Sequence, residues 1–149
     1  MEFFGEKREN VEYLSRPGVY IIFLNSKNEI GVVQTPKGLF LPSGGKNKNE
    51  SDEECLEREL IEELGWKIQI GNKFGHNIQY YNSTKKFLKM ECNFYLGESF
   101  VKVTEPKEKG HILKWFPSEY LIENLHPENQ KWAVKKAIEI KKKRDFKIK

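Results

Sequence analysis

The chain has 149 residues, of which 32% are charged, and a formal net charge of +4 at pH 7; its mean hydropathy is −0.71. No apolar stretch approaches the about 20 residues of a membrane span, and the first residues lack the apolar core of a secretory signal. Two widely separated cysteines, Cys55 and Cys92, argue against a disulfide framework and favour buried thiols. We therefore expect one domain, residues 1–149, in the cytoplasm and without a membrane partner.

The first part of the chain predicts short strands separated by turns. Residues 19–24, after a Pro-Gly pair, are β-branched and aromatic, which predicts a buried strand. Residues 25–28 are turn-forming, so residues 29–35 are predicted to return as the second strand of a hairpin. A short strand over residues 39–41 then leads into the sequence Pro42-Ser43-Gly44-Gly45.

A helix is predicted over residues 51–64. Ser51 is the expected N-cap, and Glu54 three residues later gives a capping-box pattern. Gly65 is the expected stop. The helix has an apolar stripe at i, i+4 and i+8, which is suited to core burial; its members are Leu56, Leu60 and Leu64.

Three glutamates of this helix are predicted to lie close together beside the apolar stripe. At about 100° per residue, Glu59, Glu62 and Glu63 fall within an arc of about 100°. Because no lysine lies one turn from Glu59 or Glu63, the charges of these glutamates repel one another by about 0.2–0.5 kcal/mol per pair. A solvated acidic face is the simpler interpretation of such a run. A bound cation is the alternative, since Mg²⁺ takes oxygen ligands and often shares them with substrate phosphates.

The second part of the chain predicts further strands and two helices. Strands are predicted over residues 67–70, 74–81, 87–97 and 113–116, with a polar loop over residues 105–110. Ser118 is predicted to cap a short helix ending at Leu125, and Pro127 to begin a final amphipathic helix. The apolar face of that last helix comprises Trp132, Ala133, Ala137, Ile138 and Ile140. This order predicts an α+β fold with helices on both sides of a mixed sheet.

The spacing around the acidic helix decides between the two interpretations. The sequence matches Gly-x5-Glu-x7-Arg-Glu-U-x-Glu-Glu-x-Gly-U, where U is apolar, at Gly44, Glu50, Arg58, Glu59, Leu60, Glu62, Glu63, Gly65 and Trp66. A chance match is on the order of one in ten million per starting position. On this pattern, over about residues 41–66, the chain resembles the Nudix hydrolase family. Trp66 departs from the Ile, Leu or Val that is usual there.

The resemblance implies a fold and a reaction class. It implies an α/β/α sandwich with the motif as loop–helix–loop, and Mg²⁺-dependent hydrolysis of a phosphoanhydride in a nucleoside diphosphate derivative, with Mn²⁺ as an alternative ion. In its small size, the chain is most similar to MutT-type nucleoside triphosphate pyrophosphohydrolases. Dinucleoside polyphosphates or nucleotide sugars are alternative substrates. A non-catalytic nucleotide- or RNA-binding domain is a third hypothesis, prompted by eight Lys or Arg in residues 135–149.

The family pattern also implies roles for individual residues. Glu59, Glu62 and Glu63 would bind the metal together with a backbone carbonyl, that of Gly44 or of Ser43. Glu59 or a downstream acid would orient or deprotonate the water, so that Glu59, Glu62 and Arg58 are the catalytic candidates, with Arg58 orienting a carboxylate and Glu50 in support. A further metal ligand or base is expected from a later strand or loop, and the sequence does not choose among Glu91, Glu98, Glu105 and Glu108.

Other positions are less determined by the sequence. Tyr80, Tyr81 and Phe40 are the candidates for contact with a nucleobase. His76, His111 and His126 have no partner at ligand spacing, so we expect them to be structural or on the surface. The basic tail is expected to be a solvated helix end, without nucleic acid as a partner. The protein is expected to be a monomer or a homodimer.

Overall fold

The computed structural model describes residues 1–148, without the side chains of residues 145–148. Lys149, the last residue of the predicted basic tail, lies outside the described residues. The described residues form eight strands and three helices in the order β1 Glu2–Phe4, β2 Leu14–Ile22, β3 Ile30–Thr35, β4 Gly38–Phe40, β5 Ser43–Gly45, α1 Asp52–Leu64, β6 Trp66–Asn82, β7 Phe87–Lys102, β8 Ile112–Phe116, α2 Ser118–Asn124 and α3 Glu128–Ile148. None of the described helices has the length and apolar character needed to cross a bilayer.

The strands form two sheets that lie between the helices. The larger sheet is mixed, with the order β1-β6-β7-β2-β5, and the smaller one is antiparallel, with the order β4-β3-β8. In β2, Ile21 faces a core that includes the α1 stripe, whereas Ile22 faces a core shared with α2 and α3. The alternation of side chains along a strand therefore divides the apolar residues between two layers. The expected α+β fold, an α/β/α sandwich around a mixed sheet, is confirmed.

The predicted hairpin between residues 19–24 and 29–35 pairs only next to its turn, where the Gly31 N–H donates to the Phe23 carbonyl at 3.2 Å. Its turn forms, because the Asn25 side chain accepts hydrogen bonds from the backbone of Lys27 and Glu29, both at 2.9 Å. However, β3 pairs with β4 and β8. Leu24 and Ile30 form one isolated bridge. Residues 30–33 are all buried, and their side chains divide between the two cores, as those of β2 do. By its pairing, β3 belongs to the smaller sheet and β2 to the larger one.

Other boundaries also differ from the sequence prediction. Strand β2 begins at Leu14, before the Pro-Gly pair, because residues 14–22 pair in parallel with residues 88–96 of β7. The two strands predicted between residues 67 and 81 are one strand, β6, with register shifts between Gln69 and Gly75. Ser118 is the first helical residue of α2 rather than its cap. Pro117 takes the extended cap conformation and has no side-chain cap hydrogen bond.

Both ends of α1 follow the sequence prediction. The Ser51 hydroxyl accepts from the Glu54 backbone at 3.1 Å, and the Glu54 carboxylate accepts from the Ser51 backbone at 3.0 Å. Gly65 ends the helix with φ 74, in the left-handed region that favours glycine. Beyond it, β6 begins at once, so the helix leads directly into the sheet.

The carboxyl end of α1 also binds a distant loop through backbone hydrogen bonds. The Gly65 carbonyl accepts from the N–H groups of Val103 and Thr104 at 2.9 and 3.1 Å. The Glu62 carbonyl accepts from Lys107 and Glu108 at 2.9 and 3.2 Å. These carbonyls have no partner within the helix, and the loop over residues 103–111 supplies their donors. The loop between β7 and β8 is thereby held against the acidic end of α1.

We predict that Gly65→Ala destabilises the protein more than Gly110→Ala. Both positions have positive φ, 74 and 81, but a Cβ at Gly65 would collide with the Thr104 carbonyl, whereas a Cβ at Gly110 meets nothing within 4 Å. Gly110→Ala should cost the conformational strain alone, about 1–2 kcal/mol. Gly65→Ala adds overpacking of about 1–3 kcal/mol. Urea unfolding measures both, and equal losses would contradict the loop attachment described above.

Candidate active site

The amino end of α1 is attached to the sheet through Asp52. Its carboxylate accepts hydrogen bonds from Lys46 Nζ at 2.8 Å, Asn93 Nδ2 at 2.9 Å and the Tyr95 hydroxyl at 2.6 Å. Burial opposes ionisation of Asp52, but the hydrogen bonds from Lys46, Tyr95 and Asn93 lower the pKa of this carboxyl. The helix is thus fixed to β7 at the end opposite to the loop.

Arg58 connects the segment before the helix with the carboxylates on it. Its guanidinium binds Glu50 with two hydrogen bonds, Nε to Oε2 at 2.6 Å and Nη2 to Oε1 at 2.9 Å. Its Nη1 donates to Glu59 at 2.7 Å and to Glu62 at 3.4 Å. The hydrogen bonds from Arg58 and from the Asn47 backbone lower the pKa of Glu50 to about 2. Glu54, which lies one turn before Arg58 on the helix, takes part in the capping box instead.

Glu63 is a buried carboxyl, with 7% of its surface exposed. Its Oε1 accepts from the Ser43 backbone at 3.0 Å, and its Oε2 lies 3.3 Å from His111 Nδ1. Burial raises the pKa of Glu63 to about 8, the Ser43 N–H opposes the shift, and the charges of Glu108 and Glu59 add to it. The site therefore includes a carboxyl that retains its proton near neutral pH unless a cation replaces that proton.

The structure places one of the four downstream acids left open by the sequence beside the carboxylates of the helix. Glu108 lies within 4.8 Å of Glu59 and Glu62 through their carboxylate oxygens, and within the same distance of Glu63 and His111 in a second group. The other three acids are elsewhere. Glu91 pairs with Lys89 at 3.7 Å and Glu105 with Lys102 at 2.9 Å. Glu98 lies against Gly71.

The glycine segment before α1 forms the other wall of the site. Ser43, which pairs with Tyr20 across β5 and β2, has φ 97, a left-handed conformation that favours glycine. The backbone thus keeps the glycine conformation although the residue is serine. A Cβ placed on Gly44 would be 4.0 Å from Glu59 Oε2. The Ser43 hydroxyl is buried without a hydrogen-bond partner among the described residues, which is uncommon for a buried polar atom.

The donor set at this site fits a hard divalent cation. Carboxylate oxygens of Glu59, Glu62 and Glu108 converge within 4.8 Å of one another, and such oxygens are the ligands that Mg²⁺ and Mn²⁺ accept. The carbonyls of Ser43 and Gly44 belong to the adjacent strand β5. Arg58 is the cation that partly balances these charges, and it is already paired with Glu50.

Comparison with known proteins identifies the family. The family model of the NUDIX domain matches residues 14–136. The chain belongs to the Nudix family. This assignment makes the protein a Nudix hydrolase. Its structure is also similar to that of a MutT protein. No curated protein matches the chain in sequence.

Solved structures share the Nudix fold with this chain. The E. coli ORF135 protein has a TM-score of 0.68 at 18% identity, over 87% of this chain and 92% of that one. A MutT NUDIX hydrolase from Burkholderia pseudomallei has 0.67 at 19% identity, over 83% and 98%. The MutT protein from Methanosarcina mazei Go1 has 0.62 at 25% identity, over 78% and 88%. The likeness extends well beyond residues 41–66, on which the resemblance was based.

His111 lies beside the acidic groups, a position that the sequence did not indicate. We expect it to be structural or on the surface, and its Nδ1 lies 3.0 Å from Glu108 Oε2. Its only local signal is the position three residues after Glu108 in a polar loop. The other two histidines match the expectation: His76 binds Asn93 at 2.7 Å, and the His126 ring lies 5.3 Å from the Phe40 ring.

The two tyrosine candidates lie on opposite faces of β6, since neighbouring residues of a strand alternate. Tyr80 is buried, and its ring contacts those of Phe3 and Tyr13 at centroid distances of 6.5 and 5.0 Å. It is packed as a core residue. Tyr81 faces the other side, where Tyr20 lies.

Tyr20 lies on the same face of the larger sheet as Tyr81, because it is aligned with Phe94 of β7 and Tyr81 with Leu88. Burial raises the pKa of Tyr20, and the charges of Cys92, Tyr81 and Glu63 add to the shift. Tyr20 also pairs with Ser43, whose N–H binds the Glu63 carboxylate. The third aromatic candidate, Phe40, is half-buried on strand β4.

We predict that the metal-free protein loses stability as the pH rises from about 5 to about 8. The pKa of Glu63 is raised from 4.5 to about 8, so in this interval the folded state binds more protons than the unfolded state. By linkage the free energy of unfolding then falls with pH. Glu63→Gln should remove this fall. Urea unfolding in EDTA at several pH values measures it, with Glu57→Gln, an exposed position of the same helix, as the control. The same slope in wild type and Glu63→Gln would exclude this assignment.

Proposed function

We propose that this Nudix hydrolase is a MutT-like pyrophosphohydrolase that cleaves a phosphoanhydride bond of a nucleoside triphosphate with Mg²⁺, and that residues 1–149 act as one domain. The observation that carries the proposal is the convergence of Glu59, Glu62 and Glu108 within 4.8 Å beside a second group of Glu63, Glu108 and His111. Similarity to the MutT protein from Methanosarcina mazei Go1 supports the MutT-like assignment.

Glu59, Glu62, Glu63 and Glu108 would hold the metal, together with the carbonyl of Gly44 or Ser43. When bound, the ion would neutralise charge on the phosphate oxygens and make the phosphorus easier to attack. Mn²⁺ takes the same donors and is the alternative ion. These acids come from the helix and from the attached loop, so the fold brings them together before any ligand arrives.

Arg58 would act as a positioning residue for Glu59. It fixes Oε1 of Glu59 at 2.7 Å, which leaves Oε2, on the side of Gly44, for the ion or for the attacking water. Because Glu50 holds the guanidinium through two further hydrogen bonds, Arg58 has little freedom to turn away. The Glu59 carboxylate is thereby kept in one orientation.

The reaction would proceed by attack of water on one phosphorus. A bond forms from the water oxygen to phosphorus, the anhydride P–O bond breaks, and the leaving phosphate takes the electron pair. The proton of the water goes to a carboxylate, for which Glu59 and Glu108 are the candidates, and then to solvent or product. Glu62, in the same acidic group, would serve as a metal ligand.

The test is a substrate panel combined with helix variants. In Mg²⁺, a nucleoside triphosphate should give a nucleoside monophosphate and pyrophosphate. In ¹⁸O-labelled water, the product that carries the label identifies which phosphorus is attacked. Preference for dinucleoside polyphosphates or nucleotide sugars would replace the proposed substrate. Turnover of no nucleotide, together with salt-sensitive RNA binding, would replace the enzymatic proposal by a binding function.

We predict that Glu62→Gln lowers kcat about 10²–10³-fold, the range observed when one stabilising group of a transition state is removed. Glu62 is partly exposed and outside the core, so the fold should remain intact. Glu57→Gln, at an exposed position of the same helix, is the matched control and should retain full activity. Steady-state kinetics and thermal unfolding together check both points. Near-complete activity of Glu62→Gln would refute the proposed metal site.

We predict different effects for the two neighbouring tyrosines. Tyr81→Ala should raise KM for the nucleotide about tenfold by loss of a stacking contact, which is worth about 1–3 kcal/mol per base in nucleic-acid complexes. Tyr80→Ala should instead lower the free energy of unfolding by about 3–5 kcal/mol, as for other large buried aromatic residues. Kinetics and urea unfolding separate the two outcomes. If Tyr80→Ala raised KM and Tyr81→Ala did not, Tyr80 would be the residue that contacts the nucleobase.

A further inference from the structure

His111 lies among the acidic groups, although the sequence motif of the family contains no histidine. Its Nδ1 is 3.0 Å from Glu108 Oε2 and 3.3 Å from Glu63 Oε2. The ligand atoms of these three residues all lie within 4.8 Å of one another. The side chain is 29% exposed, so the imidazole is partly shielded from water and opens onto the site.

We propose that His111 Nδ1 is a direct ligand of a divalent cation at a position shared with Glu63 and Glu108. The inference rests on the proposed metal-dependent function and specifies its chemistry. A nitrogen donor distinguishes this position from the neighbouring one formed by Glu59, Glu62 and Glu108, where every side-chain donor is oxygen. Glu108 belongs to both groups and would bridge them.

The distances around His111 agree with ligation. Neighbouring ligands of an octahedral ion with bonds of about 2.1 Å are about 3 Å apart. The separations of Nδ1 from the two carboxylates, 3.0 and 3.3 Å, correspond to such a pair of neighbours. The same separations would suit an imidazolium that pairs with two carboxylates, and the experiments below distinguish the two.

The backbone around His111 supports a defined position. Glu108 donates its N–H to the Glu62 carbonyl at 3.2 Å. On the other side, Ile112 begins β8 and pairs with Gln34 of β3. His111 therefore lies between a loop attached to α1 and a strand that belongs to the smaller sheet. Ligands on supported backbone keep their geometry better than ligands on unsupported loops.

The donor set predicts which ions the position prefers. Carboxylate and carbonyl oxygens suit Mg²⁺, whereas imidazole favours later divalent metals, and affinity for mixed sites rises from Mn²⁺ to Co²⁺ and Ni²⁺. His111 would thus raise the affinity for Mn²⁺ relative to Mg²⁺. The neighbouring all-oxygen position would bind both ions without this bias.

The direct test is pulsed electron paramagnetic resonance of the Mn²⁺-loaded protein. We expect electron spin echo modulation from a coordinated ¹⁴N in the wild type. The modulation should be lost in His111→Gln and retained in His76→Gln, whose imidazole binds Asn93 instead. Bound Mn²⁺ without ¹⁴N modulation in the wild type would overturn the proposal and leave the imidazole as a charge partner only.

A second readout is the ratio of Mn²⁺ to Mg²⁺ affinity, measured by calorimetric titration without nucleotide. His111→Gln should weaken Mn²⁺ binding by at least about tenfold, the lower limit of the loss caused even by an outer-shell partner, and weaken Mg²⁺ binding less. Equal losses for both ions would overturn the proposal. A wild-type protein that binds neither ion would refute the proposed function itself, whereas metal-dependent turnover without nitrogen coordination refutes the role of His111 alone.

Discussion

The site depends on helix α1 being fixed at both ends, by the Asp52 side chain at its amino end and by backbone hydrogen bonds at its carboxyl end. At its amino end Ser51 and Glu54 form a capping box, and at its carboxyl end Gly65 turns the chain into β6. The carbonyls of Glu62 and Gly65, which the helix cannot satisfy itself, accept four N–H groups from the loop over residues 103–111. Because the last carbonyls of a helix need hydrogen-bond donors, the loop that carries Glu108 is held against the acidic helix.

Charge is the main cost of this arrangement. Four carboxyl groups approach one another, and a single guanidinium, that of Arg58, already binds Glu50, Glu59 and Glu62. Glu63 obtains one backbone N–H from Ser43 and lies too deep for water to compensate fully. Its raised pKa expresses that deficit. The protein thus relieves the repulsion in two ways, by an ion pair at the exposed side and by a retained proton at the buried side.

Local features of the sequence predicted the helix, its caps and the acidic cluster, because capping and side-chain periodicity depend on residues a few positions apart. The choice of Glu108 among the four downstream acids, and the place of His111, could not be predicted. Both depend on backbone hydrogen bonds between residues about 45 positions apart, which no side-chain pattern reports. The hairpin error has a related cause. An apolar run such as residues 30–33 states that a strand is buried but not which sheet it joins.

The fixed loop also decides how a cation would couple to folding. If the loop over residues 103–111 were loosely held, Glu108 could move away from Glu59 and Glu63, and the repulsion would be relieved by motion. Because its backbone is tied to the helix end, the acids stay together, and relief must come from a proton or a cation. A cation that binds the folded state alone then adds its binding free energy to stability. The same attachment that completes the site therefore makes the folded state respond to metal.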